Sequence, residues 1–245
     1  MDSPATLSRD EFNRACQAFT QLNSGASGNY DGFGSWTWTE HKTIPVWGHL
    51  TRTSFSKILN KEEAMSVDDA FSEAGRELFE DEDDSCAHVD HQEDRVYFYE
   101  SIAWHPTYMV PTYYFQTVDS GRLFFGHAAL KLKHAIGGSP ISLAQIVRTT
   151  RFRRRTLLDM AVGVTAYSVQ PSESSSAQFP LISQGDHPIL GTPHWYFHPC
   201  ETAAAVREIL GHSLNTAWDP NRIECLLRWL KSWLAVLTTA IDLSS

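Results

Sequence analysis

The chain has 245 residues, 42% of them hydrophobic, enough to bury a full core at the upper edge of single-domain size. Its 20 basic residues stand against 29 acidic ones, and a net charge of -9 argues against nucleic acid or an anionic membrane surface as the partner. One domain over residues 1–245, meeting a protein or a small substrate, is the expectation.

The opening Met-Asp-Ser-Pro-Ala-Thr has no basic region followed by an apolar one, so neither export nor organelle import is signalled and a cytoplasmic location is expected. Ser8 and Glu11 form a capping-box pattern, after which Phe12, Ala15, Cys16, Phe19 and Leu22 fall on one helical stripe. Cys16 is therefore read as core. A Gly/Ser/Asn stretch from Asn23 to Ser35 ends the helix.

Trp36–Glu40 and Val46–Ser54 alternate aromatic or β-branched with polar residues and predict two strands joined through His41–Pro45. Residues 80–94 are strongly acidic and predict a solvated flexible loop. Cys86, His88 and His91 lie within it, but with no second ligand cluster no metal is expected there. Further strands are predicted at Arg95–Ala103, Tyr108–Val118 and Arg122–Phe125, with Trp104-His-Pro106 and Asp119-Ser-Gly121 as the breaks. Pro111 points to an edge position or a bulge, since proline cannot donate to a ladder.

Ile141–Thr150 and Thr156–Val164 read as short helices around the basic run Arg151–Arg155, which in an acidic chain suggests a docking patch for an acidic protein surface. Residues 170–180 form a second flexible loop, rich in serine. The aromatic run Trp195-Tyr-Phe197 ends in His198-Pro-Cys200, and Thr202–Leu210 suits a helix. Asp219-Pro220 then reads as the N-cap and first residue of a last helix. Its apolar stripe is Ile223, Leu226, Leu227, Leu230, Trp233, Leu234, Leu237 and Ile241, with Cys225 beside it as a packing residue. Arg228 and Lys231 interrupt this segment, so it is a packed helix and no integral membrane contact is expected.

A helix, then four or five antiparallel strands, then mainly helices describe an α+β fold: a sheet meander with helices on one face. The four cysteines, 16, 86, 200 and 225, show no CxxC spacing and are expected to stay reduced. Cys200 differs from the others in following a strand and a proline at the threshold of a helix. Helix amides favour thiolate there, while Glu201 opposes it. His198, at i−2, shares the face of an extended chain with the sulfur. These local features leave two readings open, an attacking thiol or a small interior residue.

Asp186-His-Pro-Ile-Leu-Gly-Thr-Pro-His-Trp-Tyr-Phe-His-Pro-Cys-Glu-Thr202 resembles the active-site segment of the E2-like conjugating enzymes of autophagy, most closely the autophagy-related protein 10 family. The opening helix, Ser35-Trp-Thr-Trp38, Tyr108-Met-Val-Pro111 through Phe115, and the terminal Arg228–Trp233 helix are similar in the same order, so the resemblance covers most of the chain. It implies an E2-like fold and a transferase in which Cys200 takes the ubiquitin-like modifier autophagy-related protein 12 as a thioester from the E1-like autophagy-related protein 7. A lysine of autophagy-related protein 5 then displaces it. No cofactor is implied at this step, and a monomer is expected. His198 is the candidate for assisting lysine deprotonation or the oxyanion, with a structural role at the strand end as the alternative. Where ubiquitin E2 enzymes carry His-Pro-Asn, His187-Pro188-Ile189 has isoleucine and is expected to be a turn. The sister autophagy-related protein 3 family shares His-Pro-Cys but lipidates another modifier. Two other function classes remain beside this one: a cysteine hydrolase that removes modifiers, and a non-catalytic adaptor that binds by strand addition at the Pro111 strand.

Overall fold

A computed structural model describes residues 6–23, 32–58, 95–119, 146–153, 182–199, 202–211 and 218–244. Helix α1 (Arg9–Asn23) starts on the expected capping box: the Ser8 amide donates to Glu11 Oε2 at 2.6 Å and the Glu11 amide to Ser8 Oγ at 3.3 Å. Phe12, Ala15, Cys16 and Phe19 are buried. Leu22, expected on the same stripe, is 63% exposed, because the last turn of the helix outruns the surface it packs on.

Among the described residues six antiparallel strands follow: β1 (Thr37–Glu40), β2 (Gly48–Lys57), β3 (Arg95–His105), β4 (Val110–Asp119), β5 (Ile182–Asp186) and β6 (Pro193–Phe197). Their order in the sheet is β1-β2-β3-β4-β6-β5. The first four form the expected meander. The last two are a hairpin laid beside β4 with its second strand innermost. Strand β5 was not predicted: Ser183-Gln-Gly-Asp186 has little β propensity, and its pairing with β6 makes it a strand. The predicted strand Arg122–Phe125 and the helix Thr156–Val164 lie outside the described residues, as do loops 80–94 and 170–180.

The β4 strand corrects the reading of Pro111. It is central, between β3 and β6, not an edge. Proline is tolerated because the β4–β6 ladder pairs Tyr114 with Tyr196 and Phe115 with Trp195, leaving Pro111 before the pairing begins. Among the described residues the outer strands are β1 and β5, so the Pro111 strand is not the sheet edge on which strand addition was expected.

Alternation along the strands makes two layers. One face carries Leu50, Phe98, Ile102, Tyr113, Phe115 and Phe197 against α1 and α3 (Ile223–Leu237). Helix α2 (Thr202–Gly211) adds Val206 and Leu210 to the same core. On α3 the buried face is wider than a single stripe, with Cys225, Leu226, Trp229, Leu230, Trp233, Leu234 and Leu237 all inside. Its N-cap is Arg222, not Asp219: the Asp219 carboxylate accepts the Asn221 amide at 2.9 Å, which spends one more turn before the helix begins.

The reading of the basic run is corrected at Arg151, while Arg154 and Arg155 lie outside the described residues. Arg151 is 1% exposed and lies under the sheet, where its guanidinium and that of Arg52 both bond Glu100, which also accepts from the Tyr113 hydroxyl at 2.7 Å. Burying the Glu100 carboxylate is costly unless it is paired and hydrogen-bonded, and Arg151 is one of the two cations that pair with it. Phe152 is buried and bridges Ile241, while Arg153 is exposed. Ile146 is helical, but residues 147–150 are turns with an isolated bridge from Thr149 to Ile58, so the predicted helix does not reach Thr150.

Candidate active site

Strand β6 ends at Phe197, His198 and Pro199 follow, and α2 begins at Thr202. This is the strand, proline and helix succession read from sequence. Cys200 and Glu201 themselves lie outside the described residues. The join is fixed from both sides. Phe197 packs into the core against Tyr113 and Phe152, and the Pro199 carbonyl accepts the Thr202 hydroxyl at 2.8 Å and its amide at 3.3 Å.

His198, one residue past Phe197, falls on the other face. Its Nε2 is 3.3 Å from the Tyr108 hydroxyl, and the two rings meet edge to face at 5.4 Å. Tyr108 also stands 5.0 Å from the His105 ring. The Tyr108–His198 contact has no local signal, since 90 residues separate the pair and the β4–β6 pairing brings them together. Burial holds the His198 imidazole below its ordinary pKa; burial first, then the charge of His198, does the same for His105. Both are therefore neutral at pH 7, which leaves an imidazole able to take up a proton.

Behind this end of the sheet His187-Pro-Ile-Leu190 is the expected turn, closed by Gly191 N–H to the His187 carbonyl at 2.9 Å. The Ile189 and Leu190 amides donate to His187 Nδ1 at 3.2 and 3.1 Å, so Nδ1 carries no proton and Nε2–H donates to Ser101 Oγ at 2.9 Å. His187 thus pins the turn to β3. Ile189 packs with Ala103 and Tyr114, and the His49 and His194 rings stand 5.3 and 4.9 Å from that of His187. Three neutral histidines therefore share one buried layer. Burial, then the neighbouring histidines, drives His49 down to about 4 and His187 to about 2.

Cys16 and Cys225 are buried, and burial pushes the Cys16 thiol well up, away from nucleophilic use. Cys86, His88 and His91 lie outside the described residues; among those described, no cluster of His, Cys, Asp and Glu is arranged to hold a metal.

The family model described as autophagocytosis associated protein, active-site domain, matches residues 11–243. The chain belongs to that family. It is accordingly an E2-like conjugating enzyme of autophagy, and the match runs from α1 to the residues after α3, taking in every strand. A search of curated proteins returned no match. The open antiparallel sheet with its helices on one face is the α+β architecture of an E2-like fold. No helix among the described residues is long and apolar enough to cross a membrane.

Proposed function

We propose that the chain carries the modifier autophagy-related protein 12 as a thioester on Cys200, receiving it from the E1-like autophagy-related protein 7 and passing it to a lysine of autophagy-related protein 5. The observation that carries this reading is the family match over residues 11–243 combined with the His-Pro-Cys motif at the β6–α2 junction. The tryptophan strand Trp36-Thr-Trp38 and Tyr108-Met-Val-Pro111 favour the protein 10 branch over the protein 3 branch.

In the first exchange the Cys200 thiolate attacks the E1 thioester, forms a bond to the modifier's terminal carbonyl carbon, and releases the E1 thiolate. In the second, a neutral lysine amine attacks that carbonyl, an amide forms, and the Cys200 thiolate leaves. Cys200 stands two residues before the first residue of α2, and a helix N-terminus favours the thiolate both as attacker and as leaving group, against the neighbouring charge of Glu201. His198, neutral and within hydrogen-bond reach of Tyr108, is assigned the proton that the lysine nitrogen loses once it has bonded the carbonyl carbon and the amide forms. ATP is used by the E1, and the exchanges themselves conserve their bonds without a cofactor.

The test is adduct formation on a non-reducing gel with E1, ATP and modifier. A thiol-sensitive adduct is expected for the native chain, and a thiol-resistant oxyester for Cys200→Ser. Absence of an adduct with protein 12, together with one to a lipid-directed modifier, would move the chain to the protein 3 branch. Absence with both would end the reading.

A further inference from the structure

The segment in front of α1 grips the active-site end of the sheet. Leu7 is 1% exposed; its amide donates to the Met109 carbonyl at 3.0 Å, and its own carbonyl accepts Trp104 Nε1–H at 2.8 Å. Two residues on, the Arg9 guanidinium lies over two indoles, Trp104 at 4.6 Å and Trp47 at 5.2 Å. Residues 7–9 therefore hold the β3–β4 turn by two hydrogen bonds and a cation between aromatic rings.

That turn is under backbone strain. Met109 has φ 52°, and among the described residues it is the one non-glycine in the left-handed region. Such a conformation persists only where its surroundings over-determine it. Here the Met109 amide bonds the His105 carbonyl at 2.8 Å from inside the turn, and Leu7 holds the Met109 carbonyl from outside. Met109 itself is 48% exposed, so its side chain does not anchor the turn in the core. A return to negative φ would rotate the peptide that joins it to Tyr108. Tyr108 is the residue whose ring sits between His105 and His198 and whose hydroxyl meets His198.

We propose that Leu7–Arg9 form a strap that positions Tyr108, and through it His198, beside the thioester site. Leu7, Arg9 and Met109 are then positioning residues: they act on the reaction through the turn and touch neither modifier nor lysine. The inference rests on the reading of Cys200 as nucleophile with His198 as its assistant.

The experiment follows the titration of the His198 ring by NMR in the full chain, alongside discharge of the loaded modifier to free lysine. Tyr108→Phe removes the hydroxyl and displaces the His198 titration. Arg9→Ala is expected to displace it in the same direction and to slow discharge by about 10-fold, with loading by the E1 retained, and Arg9→Lys to restore both. Met109→Val leaves the strap in place but cannot hold a left-handed φ. It sits at an exposed position, so it folds even if Arg9→Ala does not, and it is expected to act like Tyr108→Phe. His198 titrating as in the native chain in both Arg9→Ala and Met109→Val would overturn the strap. A native chain that never loads would remove the functional reading, while the ring titration still decides the strap.

Discussion

Lowering the pH from 7 to 5 is expected to cost this protein about 4 kcal/mol through two histidines alone. His49 and His187 are buried in the layer behind the sheet, one with Nδ1 lacking a hydrogen-bond partner and the other with Nδ1 accepting two amides. Neither accepts a proton readily while folded. The unfolded chain protonates both near 6.5, whereas the folded one resists until about 4 at His49 and about 2 at His187. The unfolded state therefore binds more protons between these limits, and stability falls as pH drops below 6.5. At pH 5 each unfolded histidine is about 1.5 units below its pKa, worth about 2 kcal/mol, against about 0.2 kcal/mol at pH 7. The loss at His49 levels off below its folded value of about 4. Urea unfolding of the native chain and of His49→Gln at both pH values isolates the term, because carboxylates contribute alike to the two proteins. The variant should lose about 2 kcal/mol less than the native chain across the interval. Equal losses in both would refute the claim that His49 is held neutral by burial.

Glu100→Ala leaves Arg52 and Arg151 buried without their carboxylate and should cost about 3–5 kcal/mol in urea unfolding, whereas Arg153→Ala, at an exposed position in the same basic run, should stay within about 0.5 kcal/mol. Ser8→Ala removes one half of the capping box and should lower stability by about 1 kcal/mol by the same measurement, with the loss concentrated in hydrogen exchange at the start of α1. A thiol reagent applied to the folded chain should leave Cys16 and Cys225 unmodified by mass spectrometry, and modification of either before unfolding would contradict their burial.

Several features were legible in sequence because they are local. The capping box at Ser8 and Glu11, the period-two strands β1 to β4, the turn at His187-Pro188 and the junction of strand, proline and helix around residue 200 each depend on neighbours within a few positions. The His198-Pro-Cys200 motif was legible for the same reason, since it is three consecutive residues. Where local pattern misled, a distant partner had overruled it. The run Arg151–Arg155 looked like a surface because charges normally are; Glu100, 51 residues away, draws Arg151 inside. Pro111 looked like an edge because proline lacks a donor, yet the short β4–β6 ladder asks nothing of it.

The sequence by itself determined α1, the meander β1 to β4 and the two later helices, because helix caps and alternation are properties of a few consecutive residues. Only the tertiary structure decided that β6 lies beside β4 and that β5 closes the sheet, since strand order depends on which apolar faces meet across a long separation. That decision brings Tyr108 to His198 and leaves Leu7 to bind the turn between them and the first helix. The candidate nucleophile, Cys200, stands in a local motif; the contacts around His198 are assembled from segments that meet only in the fold.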